Sequence, residues 1–356
     1  MLPAKLGHEK LTHMARYALE PIPDKAVDEA LRVATEKLNG KLLSGVIGSI
    51  GARRDSASVE LLGKFLNNSD PDVVRTTAMA LGRIGTTAAG KILQDALKGA
   101  KGDNVDRICD GLLTCAANLL AEGSEGKAKK LYDSIRGNDI PSRIRAAAFR
   151  GAVLCGESDS MELLAGMLND KDLRMFGMAL RVATELKEKK ATKVLVAELA
   201  KVQADRVVPL VMVLGKRGDQ AALPALIEMT KKGDKSVRIE AIKAVAELGD
   251  ASAVPVLVEL MKEQDGEISQ AANTAVAGLP GAGVDSAIVR MIEKPDPTLR
   301  VKMIEIAGQR RIGKAKPALL KDMSDKDAAV RTAAVRSYGE LAGVDELPVL
   351  IDMLTK

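Results

Sequence analysis

Apolar positions recur along this chain at steps of three and four. Between Asp234 and Leu248, the residues Val237, Ala241, Ala244, Val245 and Leu248 fall on one stripe of a 3.6-residue period. Asp234, three residues before Val237, is placed to cap the helix start, and Gly249 to end it in the left-handed conformation. A second stripe, Val254, Leu257, Val258 and Met261, begins after the glycine. The same order of turn, helix, turn and helix is written in residues 70–93 (DPDVVRTTAMALGRIGTTAAGKIL) and 327–350 (DAAVRTAAVRSYGELAGVDELPVL). No such hairpin hides both of its stripes alone, so neighbouring hairpins must stack.

An arginine near the start of the first helix supplies a ruler. It falls at Arg107, Arg145, Arg174, Arg206, Arg238, Arg300 and Arg331, with Ser269 at the one skipped place and Val74 at the corresponding position of the segment from Asp70. A turn carboxylate beside a recurrent arginine is suited to a ladder of charge-assisted bonds between repeats. Helices of this kind are expected at 41–51, 71–83, 104–119, 142–154, 171–185, 203–214, 235–248, 266–278, 297–310 and 327–341, with Leu11–Glu20 as an earlier one.

The signature D-x-x-V-R-x-x-A, then Gly, then A-V-x-x-L resembles HEAT repeats of the bilin-lyase-like subclass, best in Asp234 to Leu260 and Asp327 to Leu350. The opening LTHMARYALEPIPD is similar to HEAT-rich proteins of environmental bacteria. The resemblance implies an all-α fold, a right-handed α-α superhelix of about eleven helical hairpins. Residues 1–356 are then expected to form a single solenoid with a period of about 31, and to be a segment of a longer protein. It also implies that the Val-Arg helices line the inside of the curve. The apolar run at 345–354 makes end-to-end self-association an expectation.

Composition narrows the chemistry. Aromatic residues are 2% of the chain and Trp is absent, so Ala, Leu, Val and Ile build the core. The formal charge of +5, from 53 basic and 48 acidic residues, is too slight to mark a nucleic-acid binder by itself. No apolar run is long enough to span a membrane, and no secretory signal opens the chain. A cytoplasmic location is expected, with an exported protein lacking its signal segment as the alternative.

Catalytic, metal and cofactor sites are not expected. His8 and His13 are the only histidines, and their spacing of five spreads them apart on a helix. HEAT-type deoxyhypusine hydroxylases use several His-Glu pairs, whereas His8-Glu9 stands alone. Cys109, Cys115 and Cys155 form no C-x-x-C pair and read as buried, inert thiols. Two basic clusters, Lys187, Lys189, Lys190 and Lys193, then Arg310, Arg311, Lys314 and Lys316, keep a DNA- or RNA-binding cradle of the HEAT-like glycosylase type open. The scarcity of aromatic residues weighs against it. A bilin-lyase-like enzyme is the remaining alternative, without a motif of its own.

One departure from amphipathicity suggests a binding face. Glu240, Lys243 and Glu247 form the polar stripe of a typical helix, and the ruler aligns them with Phe176, Ala179 and Ala183, with Val208, Val211 and Gly215, and with Leu112. An exposed apolar patch on the concave face is therefore expected at Leu112, Phe176, Ala179, Val208 and Val211, rimmed by Arg150, Arg181 and Lys243. It suits a partner protein or peptide, and less well a nucleic acid.

Overall fold

Residues 12–348 and residue 351 are described by the computed structural model. Every regular element among them is helical, and they fall into two compact units, Met1–Leu186 and Lys187–Lys356. The first holds α1 (Thr12–Leu19), α2 (Lys25–Thr35), α3 (Gly40–Ala52), α4 (Val59–Gly63), α5 (Pro71–Ile84), α6 (Thr87–Gly99), α7 (Asp103–Ala121), α8 (Glu125–Asp133), α9 (Ser142–Leu154), α10 (Ser160–Asn169) and α11 (Leu173–Glu185). The second holds α12 (Lys189–Glu198), α13 (Ala204–Arg217), α14 (Leu223–Met229), α15 (Lys235–Leu248), α16 (Val254–Leu260), α17 (Gly266–Gly278), α18 (Ala282–Ile292), α19 (Pro297–Gln309), α20 (Lys316–Asp322) and α21 (Ala328–Leu341). Within each unit the odd-numbered helices pack on one another in a row, and each even-numbered helix from α2 onward packs on the odd one that follows it.

Small residues set how closely the odd row approaches. A Cβ built on Gly51 would stand 2.6 Å from Ala80 Cα, and one on Gly111 would stand 2.5 Å from the Ala78 carbonyl oxygen. Backbone meets backbone at these points, so α3, α5 and α7 are held at one separation. Gly249 serves the same end rather than the one expected. Its backbone is extended (φ −70°, ψ 167°), and a Cβ there would lie 2.5 Å from the Val245 oxygen and 2.9 Å from Leu279 Cδ2. Asp234 sits at the cap position without the expected bond. Other turn aspartates do cap, at Asp24, Asp70, Asp172, Asp265, Asp296 and Asp327, whose carboxylates accept from backbone amides.

Among the described residues the arginine ladder is formed at Arg145, Arg238 and Arg300. Arg145 reaches Asp170 at 3.6 Å, Arg238 reaches Glu263 at 2.6 Å, and Arg300 reaches Asp325 at 2.9 Å and also pairs with Asp322. Each joins one odd helix to the turn before the next, over a fixed chain separation of 25 residues. Arg238 Nε also donates to the Thr230 oxygen, eight residues back (2.8 Å). Ser269 stands where an arginine is missing and donates to the equivalent oxygen, that of Met261 (2.7 Å). Lys302, from the following odd helix, adds a second donor to that oxygen at 2.8 Å.

A second device ties odd helices end to end. Arg53 Nη1 donates to the Glu20 and Ile22 oxygens while its Nε holds Asp28. Arg310 does the same with Ala277, Leu279 and Asp285, at the same chain separations of 33, 31 and 25. Each arginine thus supplies donors to carbonyls left open at the end of the preceding odd helix. The residue after each, Arg54 and Arg311, takes positive φ (53° and 52°) to close its own helix, a conformation that costs a non-glycine residue about 1 kcal/mol.

Two outcomes follow for stability. Gly111→Ala should destabilise the first unit by about 1–3 kcal/mol, whereas Gly339→Ala, whose Cβ meets nothing within 4 Å, should be neutral or stabilising; paired thermal melts check this. The carboxyls of Asp172, Asp250, Asp265 and Asp325 are held below the usual carboxylate range by side-chain and backbone donors, led respectively by Ser142, Ser252, the Ile268 amide and the Asp327 amide. Their stabilisation is complete above the unfolded value, near pH 4, and is lost as pH falls through the lower folded values. The melting temperature should therefore fall steeply below about pH 4; a flat profile there would contradict the capping account.

Candidate functional site

The caps define a stricter ruler than the arginines. From α9 to α21 the residues preceding the odd helices are Pro141, Asp172, Gln203, Asp234, Asp265, Asp296 and Asp327, each 31 residues after the last. Counting from the cap, the third, seventh, tenth and eleventh helical positions are buried in all seven helices. The seventh shows the pattern well: Ala148, Ala179, Leu210, Ala241, Ala272, Met303 and Ala334 are all fully buried. That spacing is the stripe of a helix packed on two sides.

Against this ruler, part of the expected patch moves indoors. Arg174 occupies the second position of α11 rather than the fourth, and Phe176 stands at the ladder place; Arg206 occupies the third position of α13 and is buried. The arginine ruler therefore slips by two residues in α11 and by one in α13. Leu112, Phe176, Ala179 and Val211 are buried and belong to the core, not to an exposed surface. Val208 is half-buried. The residues that do match Glu240, Lys243 and Glu247 are Met178, Arg181 and Glu185 in α11, and Pro209, Met212 and Lys216 in α13.

The surface row thus runs through the ninth position. In the first unit it comprises Arg150 and Arg181, which the fold brings together on Glu185 (2.6 and 3.3 Å). In the second it comprises Met212, Lys243, Thr274, Glu305 and Arg336, all exposed, with Met212 at 40%. Lys243 pairs with Glu240 at 3.4 Å. Pro209 lies inside α13 and leaves the carbonyl of Asp205 without its helical donor, next to Val208 and Met212. In the first unit, α5, α7 and α9 also frame a groove of about 460 Å³ lined by Arg75, Met79, Asp106, Asp110 and Arg143, with Asp103 and Arg107 at one end. Arg143 bridges Asp110 and Asp106 across it, at 3.1 and 3.5 Å. Nothing in the arginine spacing pointed to Met178 or Met212, which the cap-to-cap period finds, or to Arg143, which only the groove reveals.

The remaining candidates find structural roles. All three cysteines are buried, and burial pushes their thiols up, to about 12 for Cys109 and Cys115 and about 11 for Cys155. Thiols so raised supply no thiolate nucleophile at neutral pH. Of the second basic cluster, Arg310 is consumed by the carbonyls of Ala277 and Leu279, and Lys316 pairs with Glu346. Lys187, Lys189, Lys190 and Lys193 remain exposed on and before α12. His8 lies outside the described residues, as do 349, 350 and 352–354 of the expected self-association segment; Leu347 and Ile351 are exposed.

Comparison with known proteins places this geometry. No curated protein matches the sequence. Among solved structures, the yeast importin-β Kap95p, described as inducing the switch loops of RanGDP to adopt the GTP-bound conformation, aligns with a TM-score of 0.52 at 11% identity, covering 97% of this chain and 56% of its own. Importin-β crystallised in a polyethylene glycol condition gives 0.52 at 13%, covering 99% and 61%. The karyopherin Kap121p, bound to the extreme C-terminus of the protein phosphatase Cdc14p, gives 0.50 at 8%, covering 99% and 51%. The chain thus spans between half and two thirds of these proteins' length, and at such identity the likeness is one of fold. The sequence profile of HEAT repeats matches residues 27–109, 210–277 and 284–356, more than half of the chain, and the protein belongs to the HEAT-repeat family.

Proposed function

We propose that the chain is a non-catalytic scaffold that holds a partner protein or peptide against the exposed side of its odd-numbered helices. The observation that carries this reading is the surface row itself. Seven successive helices present one side chain each at the same helical position, 31 residues apart, and these side chains differ in kind: Arg150, Arg181, Met212, Lys243, Thr274, Glu305 and Arg336. The buried seventh position of the same helices holds only Ala, Leu and Met. Within each unit, such a row of varied side chains suits recognition of an extended ligand, because contacts are spread and pre-positioned. The apolar centre for such contacts in the second unit is Val208, Pro209 and Met212, with Lys216 and Lys243 as polar surroundings. In the first unit Met178 takes that part, beside Arg150, Arg181 and Glu185.

The fold neighbours support the same use. Kap121p holds a protein C-terminus, which makes a peptide a fitting class of ligand for this architecture. The likeness of Asp234 to Leu260 to bilin-lyase-type repeats contributes fold to this reading and no chemistry.

Photo-crosslinking residues placed at Arg181, Met212 and Lys243 should yield partner adducts in host extract, while the same residue at Lys193 and Glu259, exposed on even-numbered helices, should not. Equal yields from both rows, or none from the odd row, would remove the assignment. Met212→Asp should weaken capture of the crosslinked partner about tenfold or more, about 1.4 kcal/mol, with helicity unchanged. Val211→Asp, one residue away, buries an unpaired carboxylate and should instead melt the second unit.

A further inference from the structure

Within the first unit, arginine and lysine are sorted by row. α5, α7, α9 and α11 carry eight arginines and no lysine, whereas α6, α8 and α10 carry five lysines and no arginine. Helix formation does not demand this, because the two residues have nearly equal helix propensity. What separates them is the guanidinium fork, which grips an oxyanion with two parallel bonds where an ammonium offers a point charge.

Six of the eight share one arrangement. Arg75 and Arg83 flank Met79 on α5, Arg143 and Arg150 flank Ala147 on α9, and Arg174 and Arg181 flank Met178 on α11. Steps of three and four keep each trio on one side of its helix. The central residues are half-buried; the arginines are exposed, apart from Arg150, which is half-buried. Two lines of guanidinium groups therefore border a strip of Met and Ala, and the lines stand about 11 Å apart along the helices. Their own carboxylates are few. Asp72 holds Arg75 at 3.1 Å, Asp106 and Asp110 share Arg143, and Glu185 serves both Arg150 and Arg181. Among the described residues Arg83 and Arg174 have no ion pair.

Resting on the scaffold reading, we propose that this side of the first unit takes an amphipathic helix of the partner protein, its apolar stripe on Met79, Ala147 and Met178 and acidic residues along both flanks. A helix with its side chains is about 10–12 Å wide, so carboxylates on either flank meet one line of arginines each. Exposed ion pairs within a chain are weak, and Asp72 and Glu185 give up their arginines at little cost. A phosphate backbone fits less well, because it would lie against Asp106 and Asp110 and leave the apolar strip uncovered.

Fluorescence anisotropy of the full chain with a labelled synthetic helix tests this. The probe is a peptide of about 20 residues, about 30 Å long, with Leu and Ala along one stripe and Glu on both flanks. It should bind, more weakly as salt is raised; the same peptide with Lys for Glu should not bind, and duplex DNA should not displace the Glu peptide. Arg83→Glu and Arg174→Glu break no ion pair of the chain and should each weaken the Glu peptide about tenfold or more, about one decade in Kd, with unchanged circular dichroism. Lys127→Glu, exposed on α8 and equal in charge change, should leave the affinity unaltered. No binding of the Glu peptide, equal binding of the Lys peptide, displacement by DNA, or equal losses at Lys127 and Arg174 would each overturn the proposal. A natural partner crosslinked at Arg181 through a segment without acidic flanks would overturn it as well, and leave the scaffold reading standing.

Discussion

Helices of seven to fourteen residues have too little of their own to stand on. α14, α16 and α20 are each seven residues long, and α4 is only five. What holds them is packing on the odd helix that follows, and within each unit the odd helices pack on one another in turn. Within each unit an odd helix that lies between two others is pressed by both, and its rotation about its own axis is fixed. A fixed rotation decides which side chains face outward, so the surface row is a by-product of the packing. Glycine and alanine at the closest points, Gly51 against Ala80 and Gly111 against Ala78, leave little freedom to turn.

The polar bonds then fix register where apolar contact alone would allow slippage. The 25-residue rungs at Arg145, Arg238 and Arg300 join each helix to the turn ahead, and Arg53 and Arg310 cap the helix behind. These guanidinium groups are mostly shielded from solvent and face several oxygens each, the condition under which such bonds contribute most. The same bonds explain why charge on this chain is a poor guide to ligands. Arg310 looks like part of a basic patch in the sequence and is a helix cap in the fold.

Much of the architecture was legible because it is local. The expected helices 142–154, 235–248 and 266–278 coincide with α9, α15 and α17, since caps and apolar spacing act within a few residues. The candidate site was less legible because its ruler was a tertiary contact. A ladder arginine is needed only where a turn carboxylate waits for it. Ser269 does without one because Lys302 reaches over from the next odd helix, 41 residues away in the chain from the oxygen it serves. Arg174 and Arg206 resemble ladder residues in spelling and sit two and one positions early. That slip was enough to exchange the outward set Met178, Arg181, Glu185 for the inward set Phe176, Ala179, Ala183. Gly249 is a similar case: the residue type was right for a helix end, while the reason for it was the approach of Leu279.

The outward row is the claim on which both the scaffold reading and the placement of its residues rest. Single cysteines introduced at 211 and 212, 242 and 243, and 304 and 305, over the buried Cys109, Cys115 and Cys155, test it by their rates of thiol labelling under native conditions. The account predicts labelling close to that of a free thiol at 212, 243 and 305 and strong protection at 211, 242 and 304. Uniform labelling, or protection with the order reversed within any pair, would contradict it.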